Sequence, residues 1–387
     1  MLTVLKNNRS LTFYQKIQIS HESKISAVYS GGLGATAIAR MSFQTATTTT
    51  GYNVQLQNYL LDLNQKRVLD SNSLDLTIPN SNARNRGVQR AWEYEKANVE
   101  MGGKGSADWT KDQQKEILET GKVRGAEGHH QQNVANHPDQ QANPDNIKFY
   151  KDRETHLKEG HGGDWHKESD AEIIDKNSML KKTNTERVLK NEIRGLGIAL
   201  AIGAGIGMTI GFATTLARSG VTPDSIKLAL VEGARSGLEA GLLSGVGYGI
   251  GRTIGELASK AVEGILQNLG LTITDNIATM IRMGMVGTLV IGAFSIYQFI
   301  KLKYHGIATK DALIQVGKQA LFSLSLLAVS IVAQGIFGGA AGTIVSVSTG
   351  IIIITYSIVN DVHLRLFAEK IRIYTIEKCY PAFNMRW

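Results

Sequence analysis

Histidine is concentrated in one short part of this 387-residue chain, where six of the nine histidines lie between His129 and His166. His129 and His130 are adjacent, and His156 and His161 follow five residues apart. Imidazole binds divalent transition metals and accepts a proton near neutral pH. The cluster therefore predicts a metal site with a proton acceptor beside it. A polar loop with scattered histidines is the simpler alternative, because histidine spacing alone is a weak motif.

Two strands and a short helix are predicted to position these histidines. Residues 122–129 form a strand that ends at the pair, and a loop rich in Asn, Gln, Asp and Pro follows. Residues 146–151 (NIKFYK) alternate apolar and polar side chains, which is typical of a strand. Asp152 is a good N-cap for a short helix that carries His156.

His161 needs a separate argument, because it lies five residues after His156. On an unbroken helix, five residues separate two side chains by about 140°. We therefore expect Gly160 to end the helix as a left-handed residue and to turn His161 back towards His156.

Two helices are predicted before the first strand. The first covers residues 87–101 and ends at Gly102 and Gly103. Thr110 and Gln113 form a capping box for the second, which Gly121 closes. Three tryptophans are interpreted as packing anchors: Trp92, Trp109 and Trp165.

Four blocks in this order resemble the GHH branch of the HNH, or ββα-metal, nucleases found among bacterial toxins. They are AWEYEKANVEMGGKGSADWT, GKVRGAEGHH, HPDQQANPDNIKF and HLKEGHGGDW. The resemblance covers residues 85–165, under a quarter of the chain. One departure concerns the final pair, which is usually His-x-x-x-His in that family.

The resemblance implies metal-dependent hydrolysis of phosphodiester bonds in DNA. His130 would be the general base, and Asn146 would fix the loop and orient that base. His129, His156 and His161 would bind one divalent ion, with Mg, Zn, Ni and Mn all compatible. Five basic residues are candidates for phosphate contacts, or else solvated surface residues: Lys122, Arg124, Lys148, Lys151 and Arg153.

Composition adds little to this. The net charge of +8 and pI near 9.3 suit a polyanionic partner such as DNA, or an anionic membrane surface. The single cysteine, Cys379, excludes an intrachain disulfide. The N-terminal stretch LTFYQKIQIS is too polar for a secretory signal, so none is expected.

The predicted fold class is α+β, with a small ββα-metal nuclease domain, preceding helices, and an all-α, glycine-rich domain embedded in a membrane. Residues 1–80 are predicted to be a lead-in of unknown role, in which residues 30–80 are strand-rich or partly disordered. Residues 81–168 form the nuclease domain, 169–194 a charged, solvated helical linker, and 195–387 the hydrophobic domain.

The hydrophobic domain contains long runs without a charged residue. Residues 196–217 are one such run, and 22 residues are enough to cross the hydrocarbon core of a bilayer. Residues 320–360 are another, with a turn predicted at 334–341. Four spans are predicted, at 196–217, 284–300, 320–336 and 342–360. The alternative is a soluble helical bundle with a buried hairpin.

Glycines recur every four residues in this domain. Gly203, Gly207 and Gly211 form one series, and a second runs from Gly233 to Gly249. Small residues at this spacing let two helix backbones pack closely, as in membrane GxxxG contacts. This glycine zipper predicts close helix pairs and a route to a homo-oligomer.

Three segments carry basic residues: the one before the first span, the one between the second and third spans, and the one after the last span. These residues predict that the three segments lie in the cytoplasm. We therefore predict a membrane-inserted nuclease toxin or effector, whose partners are DNA, the lipid bilayer and a cognate immunity protein. Two alternatives remain open. One is a membrane-tethered nuclease that acts on incoming phage DNA, and the other is a pore-forming protein with a non-catalytic metal-binding domain.

Overall fold

The structure is a computed structural model and describes residues 32–337, 341–342, 344–353, 356–357, 360 and 370. The chain divides into two compact units. Thr47–Ile193 is called the central unit below. Met1–Ala46 together with Arg194–Trp387 is called the apolar unit.

The described residues are mostly helical, with one small sheet. The elements in chain order are α1 (Gly32–Ser73), α2 (Ser81–Glu100), α3 (Lys111–Thr120), β1 (Glu127–His130), β2 (Ile147–Tyr150), α4 (Arg153–Thr155), a π-helical turn (His156–Gly160), α5 (Lys176–Ser219), α6 (Pro223–Ile250), a second π-helical turn (Gly251–Gly255), α7 (Glu256–Asn268), α8 (Asp275–Tyr304) and α9 (Thr309–Phe337). Two 3₁₀ turns, Pro138–Gln140 and Pro144–Asn146, lie between the strands. This composition agrees with the predicted α+β class.

The prediction of a strand-rich or disordered lead-in is wrong for the described part of residues 1–80, because α1 is one 42-residue helix. In the central unit, α1 buries Leu56, Leu60 and Leu63, which recur at helical spacing. These leucines pack against Tyr94 of α2 and Leu180 of α5. Tertiary packing of this face outweighs the low helix propensity of the preceding threonines.

The predicted solvated linker is also wrong in part. It is helical from Lys176 onward, as expected, but one face of its first turns is buried. Lys176 and Leu180 are both fully buried, and Leu180 belongs to the same core as the α1 leucines. The central unit therefore extends beyond residues 81–168 in both directions.

A second core lies beneath the sheet. Ile147 and Phe149 of β2 pack against Trp109, which is fully buried, and Ile117 of α3. The Trp109 indole donates to Glu95 at 2.8 Å, and Trp92 stacks on Trp109. Both tryptophans are packing anchors, as predicted.

The local predictions for the two ends of α3 and for Trp165 had different outcomes. The capping box of Thr110 and Gln113 is present, and Gly121 adopts a left-handed conformation with φ 83°. Trp165 is 40% exposed. Trp165 is therefore not a buried anchor, although its ring contacts those of His156 and His161.

Three helices of the described residues are long and apolar enough to cross a membrane: Lys176–Ala217, Ile277–Tyr304 and Thr309–Phe337. A shorter apolar helix covers Ile344–Ile353. The fourth predicted span (342–360), the turn at 334–341 and the basic residues of the C-terminal tail lie partly or wholly outside the described residues. Within those residues, α9 continues through Gln334 to Phe337, so the predicted turn does not begin at Gln334.

Glycines bring α5 and α6 together. A Cβ atom added at Gly237 would lie 2.9 Å from the Ala204 carbonyl oxygen, and one at Gly241 would lie 3.2 Å from that of Leu200. These glycine faces are therefore in contact within one chain.

Candidate metal centre

The sheet that carries the histidine pair is an antiparallel hairpin. β1 begins at Glu127, later than predicted, and includes His130. His129 lies opposite Lys148 and His130 lies opposite Ile147. Successive side chains of a strand point to opposite faces. The two adjacent histidines are therefore directed to different surroundings, and a different role for each follows.

His161 reaches the site by a π-helical turn and not by the predicted left-handed Gly160. Asp152 caps α4 as predicted, by accepting from the Thr155 amide at 2.7 Å. The chain then widens, and the His161 amide donates to the His156 carbonyl at 3.3 Å. A turn closed by an i→i+5 hydrogen bond places residues five apart on the same side.

Glycine at 160 is needed for space. Gly160 is not among the positive-φ glycines of the described chain, whereas the nearby Gly162 and Gly163 are. A Cβ atom at Gly160 would lie 2.9 Å from the His156 ring and 3.4 Å from Nδ1 of His129. Any larger residue would crowd the two rings.

Three histidines converge as a result. Candidate ligand atoms of His129, His156 and His161 lie within 4.8 Å of one another. Nδ1 of His129 is 3.1 Å from Nε2 of His156. Two nitrogens bound tetrahedrally to one ion at about 2.0–2.1 Å would lie about 3.3 Å apart. The observed spacing therefore fits two ligands of a common ion.

An unpaired atom of the site also fits a metal. Nδ1 of His161 is buried without a hydrogen-bond partner among the described residues. Burial, and then the neighbouring histidines, lower the pKa of His129 to about 4. His129 is therefore neutral at physiological pH, which is the form that binds metal. The three histidines are positioned to bind one divalent ion, and their chemistry suits it.

Glu127 completes the site and was not predicted from the sequence. Its carboxylate accepts from Nδ1 of His156 at 2.6 Å, which leaves Nε2 of that ring free to bind a metal. Arg153 pairs with the same carboxylate at 3.4 Å. The signal was available, because Glu127 and His129 are two apart on a strand and share a face.

Replacing Glu127 with glutamine should weaken metal binding by about 10- to 100-fold, since a carboxylate that orients a metal-binding histidine has an effect of that size. Isothermal titration of the full chain measures it. Glu154→Gln is the matched control, because Glu154 is exposed and pairs only with Lys158 at 2.6 Å among the described residues. Equal affinity in the two variants would rule out this role for Glu127.

His130 is held outside the triad. Its Nε2 lies 3.0 Å from the Gln141 carbonyl oxygen. A carbonyl can only accept, so Nε2 carries the proton and Nδ1 has the free lone pair. Burial lowers the pKa of His130, partly offset by this hydrogen bond. The ring is therefore neutral near pH 7 and can accept a proton at Nδ1.

Asn146 is fully buried and secures the loop between the strands. Its side chain accepts from the Gln132 amide at 2.7 Å and donates to the Gln132 carbonyl at 3.0 Å. A third bond reaches the Gln140 carbonyl at 3.3 Å. Asn146 thus ties together residues 132 and 140 of the loop between the strands. Its predicted effect on the orientation of His130 stays a prediction.

The predicted phosphate-binding residues occupy two regions. Arg153 is 74% exposed and its guanidinium lies 4.8 Å above the Trp165 ring, which packs against the His156 and His161 rings. Lys148 lies over Tyr150, and Lys151 donates to the Asp108 carbonyl at 3.4 Å. Two more, Lys122 and Arg124, are exposed before β1. Their contacts with phosphate remain predictions.

Comparison with known families agrees with this geometry. Residues 80–151 match Tox-GHH, the GHH signature containing HNH/Endo VII superfamily nuclease toxin family. The resemblance inferred from the sequence is confirmed over these residues. The Tox-GHH segment includes His129, His130 and Asn146. His156 and His161 lie beyond it, so their place in the site rests on the geometry above.

Part of this chain is also similar to parts of much longer proteins. Teneurin-m of Drosophila melanogaster is 36% identical over 70 residues, which are 18% of this chain and 3% of that protein. Teneurin-3 of Mus musculus is 33% identical over 72 residues, 19% of this chain and 3% of that protein. This chain therefore spans a very small part of these curated relatives. No solved structure matches it.

Proposed function

We propose that this protein is a metal-dependent endonuclease that hydrolyses phosphodiester bonds of DNA, and that it acts as a bacterial toxin or effector with a membrane-inserting unit. The observation that carries the proposal is the convergence of three histidines. A fourth, His130, follows His129 in the chain, and its bond to the Gln141 carbonyl leaves Nδ1 as the proton acceptor. The match to a nuclease toxin family supports the same activity.

His130 would act as the general base in this reaction. With Nε2–H bound to the Gln141 carbonyl, Nδ1 takes a proton from the water that attacks phosphorus. A divalent ion bound by His129, His156 and His161 would supply positive charge for the phosphate oxygens. Mg, Zn, Ni and Mn all remain candidates.

Basic side chains near the triad would bind the DNA backbone. Arg153 lies three residues before His156, and Lys148 lies opposite His129 in the sheet. Both carry positive charge beside aromatic rings. Contacts of this kind neutralise phosphates and carry no sequence preference. We therefore expect cleavage of many sequences and an affinity that falls with salt.

Incubation of the purified full chain with supercoiled plasmid, linear duplex DNA and RNA tests the activity. Each substrate is combined with Mg²⁺, Mn²⁺, Ni²⁺ or Zn²⁺, and a chelator is the control. We expect nicking of plasmid with at least one metal and none with the chelator. Failure to cleave any nucleic acid with any of these metals would contradict the proposed function.

The apolar unit is proposed to insert into a bilayer. Its exposed positions include large apolar residues such as Leu238, Leu242 and Val332, while Ser244, Ser323 and Ser330 are buried. A water-soluble bundle normally has the reverse arrangement. Small and polar residues between helices with apolar residues outside are typical of helices packed in lipid. Basic residues such as Lys181, Arg187 and Arg194 before the apolar part of α5 favour a cytoplasmic nuclease.

The full chain should remain with membranes through carbonate and high-salt extraction, because salt weakens attraction between exposed charges but does not release apolar helices from a bilayer. A monodisperse full chain in detergent-free buffer would contradict insertion.

Gly237→Leu should lower the unfolding temperature in detergent by forcing α5 and α6 apart. Gly249→Leu is the matched control on α6, since a Cβ there meets nothing within 4 Å.

A toxin of this class would require a neutralising partner in the cell that makes it. We propose a cognate immunity protein that binds the central unit. The predicted homo-oligomer through glycine faces is the less favoured partner. The α6 glycines that we describe already pack against residues of α5 within one chain.

A further inference from the structure

The carbonyl that holds His130 belongs to Gln141, which is itself fixed from outside the sheet. Gln141 is fully buried between the two 3₁₀ turns. Its side-chain oxygen accepts from the Asn80 amide at 2.7 Å. Its side-chain nitrogen donates to the Ile78 carbonyl at 2.9 Å and the Asp75 carbonyl at 3.5 Å. Gln141 thus links the loop between β1 and β2 to the segment that joins α1 to α2.

The Gln141 carbonyl is also enclosed by α2. A Cβ atom added at Gly87 would lie 2.5 Å from the Gln141 oxygen and 3.2 Å from the Ala142 carbonyl carbon. Real side chains do not approach that closely, so any residue other than glycine would displace the carbonyl. Glycine inside a helix is less favourable than alanine. Close approach of the loop to α2 gives a physical reason for glycine at this position.

We propose that Gln141 is a positioning residue for His130. Its side chain is clamped by residues 75–80 while its carbonyl fixes the Nε2–H tautomer of the His130 ring. The inference rests on the proposed function only in taking His130 as the base. Asp75 and Ile78 precede the Tox-GHH segment, so part of this control is contributed by a region outside the family match.

The expected consequence is kinetic. A carbonyl that shifts no longer selects one tautomer, and the His130 ring then presents Nδ1 to water for only part of the time. Misplacement of a catalytic group by about 1 Å can lower the rate about 100-fold. Substrate binding depends on other residues, so kcat should fall while KM is unchanged. The triad is untouched, so metal affinity should also be unchanged.

Two variants of the full chain alter the same carbonyl by independent routes. Gln141→Met keeps the side-chain size and removes the three side-chain hydrogen bonds. Gly87→Ala leaves Gln141 intact and pushes its carbonyl away from α2. Gly51→Ala in α1 is the control, since a Cβ there meets nothing within 4 Å.

The deciding measurement is the ¹⁵N spectrum of His130 in full-length protein labelled at histidine, without substrate. Wild type and Gly51→Ala should show the Nε2–H tautomer. Gln141→Met and Gly87→Ala should both show a tautomer mixture, with kcat for plasmid reduced about 100-fold. This spectrum is read without nuclease activity, so a protein that failed to cleave DNA would leave the test of positioning intact.

Two results would overturn the proposal. One is an unchanged Nε2–H tautomer in both variants. The other is a parallel loss of metal affinity, thermal stability and kcat in both, which would assign Gln141 a general structural role. If Gln141→Met does not fold, the Gly87→Ala spectrum and kinetics alone decide between these outcomes.

Discussion

Replacing His130 with alanine should reduce plasmid cleavage by about 100- to 10,000-fold, the range attributed to a positioned general base. Metal binding should be retained, because the ring of His130 bonds the Gln141 carbonyl and is not one of the three converging rings. Single-turnover cleavage and metal titration of the same protein sample measure the two effects separately.

His166→Ala is the control for this experiment, since His166 is exposed in the same region. It should keep both cleavage and metal affinity. Near wild-type cleavage by His130→Ala would mean that another group takes the proton. A large loss of metal affinity in His130→Ala would instead mean that the ligand set is wrong.

A fragment limited to residues 80–170 should fail to fold, while a fragment of residues 47–193 should fold and bind metal. The shorter fragment lacks Leu56, Leu60, Leu63 and Leu180, which are buried against Tyr94. Truncating one buried leucine to alanine costs about 2–5 kcal/mol, and a whole domain has about 5–15 kcal/mol of stability. Loss of all four exceeds what the remaining core can supply.

Two ion pairs strengthen the same prediction, one partly exposed and one fully buried. Arg67 of α1 pairs with Asp145 at 2.9 Å, beside Asn146. Lys176 of α5 lies 3.8 Å from Glu95, and both side chains are fully buried. The shorter fragment leaves both carboxylates without these partners, and an uncompensated buried charge costs about 3–5 kcal/mol.

Thermal unfolding followed by circular dichroism compares the two fragments. The longer one should give a cooperative transition whose midpoint rises when metal is added, because the ion binds only the folded form. The shorter one should give no cooperative transition. If both fragments unfolded at the same temperature, α1 and α5 would be dispensable for the metal site.

Signals confined to a few residues were sufficient to predict several elements. Thr110 with Gln113, Gly121 and Asp152 are caps whose hydrogen bonds join residues one to four apart, so their chemistry is visible in the sequence. Strand β2 was equally clear from its alternation and lies within one residue of the predicted bounds.

Features that depend on distant contacts could not be predicted in this way. α1 is helical because its leucines meet α2 and α5, more than 30 residues away in sequence. The chain forms a π-helical turn before His161, and α-helix geometry alone does not predict such a turn. The hydrogen bonds of Gln141 to residues 75–80 join segments more than 60 residues apart.

The central claim is that three histidines bind one divalent ion on which cleavage depends. It is tested most directly by measuring the plasmid-cleavage rate of chelator-treated full chain against the number of ions bound per chain. We expect no cleavage without the ion, and a rate that rises in proportion to occupancy up to one ion. His156→Ala should shift this curve to much higher metal concentration. Cleavage that persists without bound ion, or an unchanged curve in His156→Ala, would contradict the account.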